Sequence, residues 1–270
     1  MFAPLSPPIL TVVTVTKDDP SGLDVTGQSI ESQRHARIEW IVVDGSTNSQ
    51  PRRVRTTSNP LVMVRQIQEP DDGPYDAMNK GLASASGETV VFINSGDRLH
   101  DVTTAARLIA SYTQRQWAWG YGPVLFVSDQ GSQVHFPRYS HWRQVLGLRG
   151  LCHQGVVCQT RLLRSVGGFS QSAGMVADQA VFAALGSIQA PYKLPFVVAD
   201  FRLGGMSSTV TPSSLVFGLH QARVQRGRPL AKSALLDVLV ARTVCLRFKV
   251  PMRLPNSTRQ VRLAPGERDA

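Results

Sequence analysis

The chain has 270 residues, a net charge of +10, 42% apolar residues, 22 glycines and 17 prolines, a balance that excludes a disordered or fibrous polypeptide and leaves a real core to be built. No uncharged apolar run approaches the roughly 18 residues of a membrane span, and three cysteines (Cys152, Cys158, Cys245) without metal-site spacing argue against a zinc module and a disulfide framework. The first apolar run lacks a basic leader, so a reduced, cytoplasmic setting is expected.

Ile9 to Thr16 is β-branched and almost wholly apolar or threonine, as a central strand covered on both faces should be. Lys17-Asp-Asp-Pro-Ser-Gly22 reads as a turn, and Leu23 to Gln33 has loosely helical spacing. Ile38 to Asp44 is a second strand, stopped by Gly45-Ser-Thr-Asn-Ser, and Leu61 to Ile67 a third. Glu69-Pro-Asp-Asp-Gly-Pro is an acidic turn, followed by a short helix from about Tyr75 and a buried strand, Val90-Val-Phe-Ile-Asn-Ser-Gly-Asp97, ending on one carboxylate. Strands alternating with helices at this spacing imply a doubly wound, mostly parallel α/β sheet through about residue 115.

Beyond that point the pattern changes. Trp119 to Val127 and Gln133 to Phe136 flank Ser128-Asp-Gln-Gly-Ser132, the signature of an antiparallel hairpin. Arg138 to Gly150 reads as a loop or a short helix. Gly155 to Gln159 is a strand, and Thr160 stands where it would cap a helix, Arg161 to Val166, that Gly167-Gly168 ends. Asp178 to Leu185 is helical and Tyr192 to Phe201 a last strand. Pro212 to Arg226 and Lys232 to Lys249 read as amphipathic helices, and Pro251 to Ala270 as a disordered basic tail.

Asp44 and Asp97 fall at strand ends, with Asp71 and Asp72 in the acidic turn. At the carboxyl rim of a parallel sheet such residues can take a ribose hydroxyl or a base N–H, or hold a divalent cation against phosphate oxygens. A single aspartate there is more often a turn former, but three on successive connections converge on a nucleotide site. Neither Gly-x-Gly-x-x-Gly nor a P-loop occurs, which argues against a dinucleotide fold or a glycine cradle for phosphate.

Six segments together are similar to family 2 glycosyltransferases. They are Thr11-Val-Val-Thr-Val-Thr-Lys17, Trp40-Ile-Val-Val-Asp-Gly-Ser46, Glu69 to Gly81, Gly87 to Asp97, His153-Gln154, and Gly167-Gly-Phe followed by Ala177-Asp178. The nearest pattern is that of bacterial enzymes building polysaccharides and glycolipids of the cell envelope, and the resemblance spans residues 9 to about 208. It implies a GT-A-type, Rossmann-like catalytic domain over 1–211. Residues 1–115 would form the nucleotide-sugar half and 116–211 the acceptor half, with a helical, basic extension over 212–270. It implies a nucleotide-diphosphate sugar donor, a glycan or lipid-linked acceptor, and a Mn2+ or Mg2+ cofactor.

Carried over residue by residue, the resemblance puts Thr14, Thr16 and Asp44 at the nucleotide base. Asp72, Tyr75, Asn79, Lys80, Asn94, Ser95 and Gly96 would line the nucleotide-sugar wall, and Asp97 would hold the metal. Asp178 becomes the general base of an inverting transfer, with His153 and Gln154 on the acceptor side. Gly96 departs from the family, where many members carry a second Asp, so one carboxylate stands where two are common. Locally, Asp178 also reads as a helix N-cap, and the two roles are compatible.

Two other function classes fit parts of the pattern. A nucleotidyltransferase acting on a sugar phosphate uses a similar rim, but its glycine-rich, basic first loop is poorly matched by Lys17-Asp-Asp-Pro. A non-catalytic nucleotide- or nucleic-acid-binding protein would use the charge: residues 221–270 hold eleven Lys or Arg against three Asp or Glu, +8 of the total. No nucleic-acid motif accompanies that charge, so no nucleic-acid partner is expected. The same stretch could instead lie on an anionic membrane at the inner face of the cell membrane, or pack on the domain. His135, His141 and His220 are weak ligand candidates. Trp117, Trp119, Tyr121 and Trp142 offer stacking faces for a sugar or packing under the hairpin. Arg138, Arg143 and Arg149 offer phosphate contacts or a solvated basic face.

Overall fold

A computed structural model describes residues 10–47, 56–148, 150–204, 218–223, 236, 239–240 and 243. The N-terminal half runs β1 (Leu10–Thr16), α1 (Pro20–Glu31), β2 (Ile38–Asp44), β3 (Val62–Gln68), α2 (Pro74–Ser84), β4 (Thr89–Phe92), β5 (Arg98–Leu99) and α3 (Thr104–Arg115). The second half adds β6 (Trp119–Tyr121), β7 (Val124–Ser128), β8 (Gly131–His135), α4 (His141–Val145), β9 (Val156–Gln159), α5 (Thr160–Ser165), α6 (Ala177–Ile188), β10 (Tyr192–Lys193) and β11 (Ala199–Arg202).

Seven strands form the central sheet in the order β10-β6-β9-β4-β1-β2-β3. All neighbours are parallel except β9, which runs antiparallel to both β4 and β6. The mostly parallel α/β sheet expected from the sequence is therefore present. Period-two alternation along β1 and β2 divides the core. Val13, Val15, Ile41 and Val43 face α2 and α6 on one side. Val12, Trp40 and Val42 face Ile30 of α1 and Leu108 of α3 on the other.

A second sheet, β5-β11-β7-β8, stands beside the first. Its β7–β8 pair is the expected hairpin, closing with Ser128 opposite Gly131. Two runs expected as single strands, Trp119 to Val127 and Tyr192 to Phe201, each split between the two sheets. Trp119 to Val127 breaks at Gly122-Pro123: a Cβ on Gly122 would lie 2.6 Å from Val198 Cγ2, and proline has no N–H for the ladder. Tyr192 to Phe201 breaks alongside it, with Leu194 N–H donating to Tyr121 O and Val198 N–H to Pro123 O.

Three local expectations are corrected. α1 begins at Pro20, not Leu23, because the Asp19 carboxylate accepts from Gly22 N–H and Pro20 fills the first turn. α3 was not assigned from sequence, although Ala105, Leu108 and Tyr112 form its buried stripe. Thr160 opens α5 without capping it; its hydroxyl donates to Gly87 O, tying α5 to the start of β4. In the C-terminal region residues 218–223 are helical, within the expected 212–226 helix, and Leu219 and Ala222 are buried in the core on the α6 side. Most of the helix expected over 232–249, and the whole tail from 251 to 270, lie outside the described residues, as do Arg149 and Cys245.

Candidate functional site

The acidic turn and α2 act chiefly as a clamp on a segment almost a hundred residues downstream. Asn79 Oδ1 accepts from Phe169 N–H at 2.9 Å while its Nδ2 donates to Phe169 O at 2.7 Å, so both ends of the amide are spent on one backbone unit. The Tyr75 ring stacks on Phe169 at 5.7 Å, and its hydroxyl donates to Met175 O and to Asp178 Oδ1, both at 3.1 Å. Burial and the adjacent Asp178 charge push the Tyr75 phenol far above its ordinary range, which keeps it a hydrogen-bond donor. Lys80 stays within the turn, bridging Asp76 at 3.0 Å and Glu69 at 3.3 Å. Asp72 is exposed, and the Asp71 carboxylate lies over Gly45, where any Cβ would collide with it.

At the carboxyl ends of β1 and β2 the predicted base-binding residues divide. Thr14 is fully buried and accepts from Trp40 Nε1 at 3.0 Å, so its side chain belongs to the core. Thr16 ends β1 opposite Asp44. The Asp44 carboxylate is buried and accepts from the N–H of Ser46 at 3.0 Å and its hydroxyl at 2.5 Å.

Asp97 does not end a strand. β4 stops at Phe92, and the chain turns through Asn94-Ser95-Gly96, where Gly96 adopts φ +90°. A side chain there would be strained although space is open, a backbone reason for glycine at this position. The Thr26 hydroxyl of α1 donates to Asp97 O at 2.7 Å, and Ser95 Oγ donates to the Asp19 carboxylate at 2.9 Å. Asp97 is 4% exposed; Oδ2 accepts from Gln154 Nε2 at 2.6 Å and Oδ1 from Arg202 N–H at 3.1 Å. Burial pushes its carboxyl up to about 6, against those two hydrogen bonds and the nearby His153, with Asp200 adding to the rise.

Asp178 sits in the first turn of α6, one residue inside the helix, rather than at its N-cap. Its Oδ1 accepts from Tyr75 and from Gln179 N–H at 2.7 Å; its Oδ2 accepts from Gln179 Nε2 at 2.9 Å and faces His153 Nδ1 at 3.6 Å. The other face of the imidazole meets Asn94, with Nε2 3.2 Å from Nδ2. His153 and Gln154 share one 3-10 turn (His153–Gly155), so consecutive side chains reach Asp178 and Asp97 respectively. Gln154, only 1% exposed, is committed to Asp97 and presents nothing to an acceptor.

Gln179 went unnoticed in the sequence. Its amide donates to Leu151 O and Asp178, and accepts from Leu151 N–H and Gln144 Nε2, joining α4, the following loop and Asp178. Asp19 was equally hidden in a turn signal. Burial raises its carboxyl, but the Gly22 amide and the Ser95 and Ser21 hydroxyls outweigh that and hold it below the usual range. Among the weaker candidates, Trp117 and Trp119 are buried and serve packing, His135 stacks on Phe126 at 4.7 Å, and Trp142 is 70% exposed.

The residues present suit a divalent cation held mainly by one carboxylate. Among the described residues no three His, Cys, Asp or Glu converge into a protein cage. Asp97 uses two of about four lone-pair sites, its charge is undercompensated, and the buried Asn94 Oδ1 nearby lacks a hydrogen-bond partner. A cation bound through one or two carboxylates and substrate phosphates needs no more from the protein.

No protein-family model matches the chain. An uncharacterized glycosyltransferase of Mycobacterium tuberculosis is 30% identical over 217 residues, covering 79% of this chain and 82% of that protein. A PGL/p-HBAD biosynthesis glycosyltransferase of the same species is 27% identical over 184 residues, 66% of this chain and 68% of its own. The S. aureus TarS structure with UDP-GlcNAc superposes at a TM-score of 0.62, with 16% identity, over 88% of this chain and 72% of that one. A mannosyltransferase from Pyrobaculum calidifontis, in complex with GDP-Man and Mn2+, gives 0.56 with 18% identity over 92% and 77%. At that identity the two structures speak to the fold, which is the GT-A type expected from the sequence.

Proposed function

The chain belongs to the glycosyltransferases, and from that premise we propose that it is an inverting, cation-assisted enzyme of the family 2 kind. In this reading it transfers a sugar from a nucleotide-diphosphate donor to a glycan or lipid-linked acceptor at the cytoplasmic face of the membrane. The observation that carries it is the pair of buried carboxylates, Asp97 and Asp178, held by adjacent residues of one 3-10 turn. An inverting transfer needs negative charge stabilised on the leaving side of the anomeric carbon and a base on the opposite side. The nucleotide sugars bound by TarS and the Pyrobaculum enzyme support the donor class.

Asp178 acts through Oδ2. Oδ1 already receives two donors, whereas Oδ2 receives one short hydrogen bond and has His153 at a looser 3.6 Å, leaving a lone pair for the acceptor hydroxyl. Tyr75 and Gln179 hold the carboxylate at a fixed angle and cannot take the proton themselves. Mn2+ or Mg2+ at Asp97 would neutralise charge developing on the departing diphosphate.

Thermal unfolding with UDP, GDP and dTDP, each with and without Mn2+ or Mg2+, tests this reading. A nucleotide at 100 times its dissociation constant should stabilise the protein by about 2.7 kcal/mol. Asp97→Asn should abolish the cation-dependent part of the shift. Absence of any shift with all three nucleotides would sink the donor assignment.

A further inference from the structure

Between Asp129 and Asp178 the chain carries five arginines and no Asp or Glu. Two of them, though exposed, spend guanidinium hydrogen bonds on the protein itself: Arg164 donates to the Leu82 and Ala85 carbonyls, and Arg161 to the Gln159 side chain. Arg138 and Arg143 are exposed. Between them lies Trp142, 70% exposed, whereas Trp40, Trp117 and Trp119 are all 4% exposed or less. α4 is two-faced: Gln144 and Val145 are buried against the domain, while Trp142 and Arg143 point outward. Leu148, 37% exposed, folds back beside Arg143 through its N–H to Arg143 O at 2.8 Å.

Two connections tie this patch to the rest of the molecule. Inward, Gln144 reaches Gln179 and through it Asp178. At the end of α4, Arg223 donates to Val145 O, which fastens helix 218–223 there, and residues 221–270 carry +8 by sequence. A solvent-facing tryptophan beside arginines that have no acidic partner among the described residues is the pairing that suits a lipid interface, where the indole enters the headgroup layer and the guanidinium groups meet anionic phosphates.

We propose that segment 138–148 is the surface on which this protein lies against an anionic phospholipid bilayer, with Trp142 and Leu148 entering the interface and Arg138 and Arg143 on the headgroups. The inference rests on the reading of Asp178 as the acceptor-side base only for its purpose: docking this segment brings the lipid-borne acceptor to that side of the cleft.

The protein supplies its own reporter, because Trp142 is the one exposed indole of four. Adding vesicles of phosphatidylcholine with phosphatidylglycerol should blue-shift its emission and protect it from acrylamide, while pure phosphatidylcholine vesicles should do neither. Trp142→Ala should abolish the spectral change and weaken vesicle partition on the order of tenfold. The double variant Arg138→Gln/Arg143→Gln should weaken it on the order of thirtyfold, at about fivefold per charge. Both substitutions are at exposed positions, so the unfolding temperature should not move. Partition with an unchanged spectrum and no response to Trp142→Ala would overturn the proposal and assign binding to the basic C-terminal sequence. So would a spectral shift with an oligonucleotide but not with vesicles. Nucleotide-induced stabilisation, measured on the same samples, reads the catalytic proposal separately.

Discussion

Two buried carboxylates at opposite ends of the parallel strands have their pKa values displaced in opposite directions. Glu39, near the start of β2, is fully buried, but Oε2 accepts from Thr11 Oγ1 at 2.6 Å and Ser86 N–H at 2.7 Å, and Oε1 pairs with Arg65 at 3.1 Å. Burial raises its carboxyl, and those partners outweigh burial and bring it below the usual range. Asp97, five residues beyond the end of β4 at the other rim, is nearly as buried with two hydrogen bonds and no paired cation, and burial carries it up to about 6. Glu39 is compensated by the fold and ties β1, β2 and β3 together near their starts. Asp97 is left short of positive charge, as the proposed cation there would require.

The largest effect should come from the functional rim. Asp178→Asn should lower kcat on the order of 1000-fold in a transfer assay while leaving nucleotide-induced stabilisation intact. If Glu39→Gln produced a similar loss in correctly folded protein, the division between the two strand ends would break. At the strand starts, Glu39→Ala should cost about 3 kcal/mol in urea unfolding, because Thr11 and the Ser86 amide lose their acceptor and Arg65, half exposed, recovers only part of its hydration.

Acid should separate the pair by sign. Glu39, with a depressed native pKa, contributes stability that is present above its unfolded value near 4.5 and is lost as pH falls below it. Asp97 does the reverse in cation-free protein. Its buried charge costs on the order of 2–3 kcal/mol at neutral pH, and the cost is relieved as pH falls through about 6 toward 3.8. Stability measured from pH 7 to 5 should therefore rise by part of that amount, and Asp97→Asn should flatten the rise. Saturating Mn2+ with nucleotide should also flatten it. The smallest effect is expected at Gly96→Ala, about 1 kcal/mol from φ +90° alone, with no clash to add to it.

Much of this was legible in the chain. β1 and β2 lie within a residue of their expected bounds, and their β-branched runs state burial on both faces. The hairpin turn and the glycines after α5 were equally readable, since each is marked by residue type within a few positions. α1 shows how local chemistry can still be misread, because Asp19-Pro20 looks like a turn and is a cap followed by the first helical residue. Asn79, Gln154 and Thr14 stand in family motifs as if for substrate, yet each is spent on the protein itself: the Phe169 backbone, Asp97 and the Trp40 indole.

The sequence by itself determined the α/β alternation and the sheet's parallel half, because those depend on periodicity and residue type over short spans. Only the tertiary structure decided that strand-like runs split between two sheets, that α2 clamps the loop before α6, and that His153 and Gln154 each reach one of the two carboxylates. Those outcomes join residues from 25 positions apart (His153 and Asp178) to 103 (Tyr75 and Asp178). A hydrogen bond across such a distance is selected by the whole packed fold, and no local pattern encodes its partner.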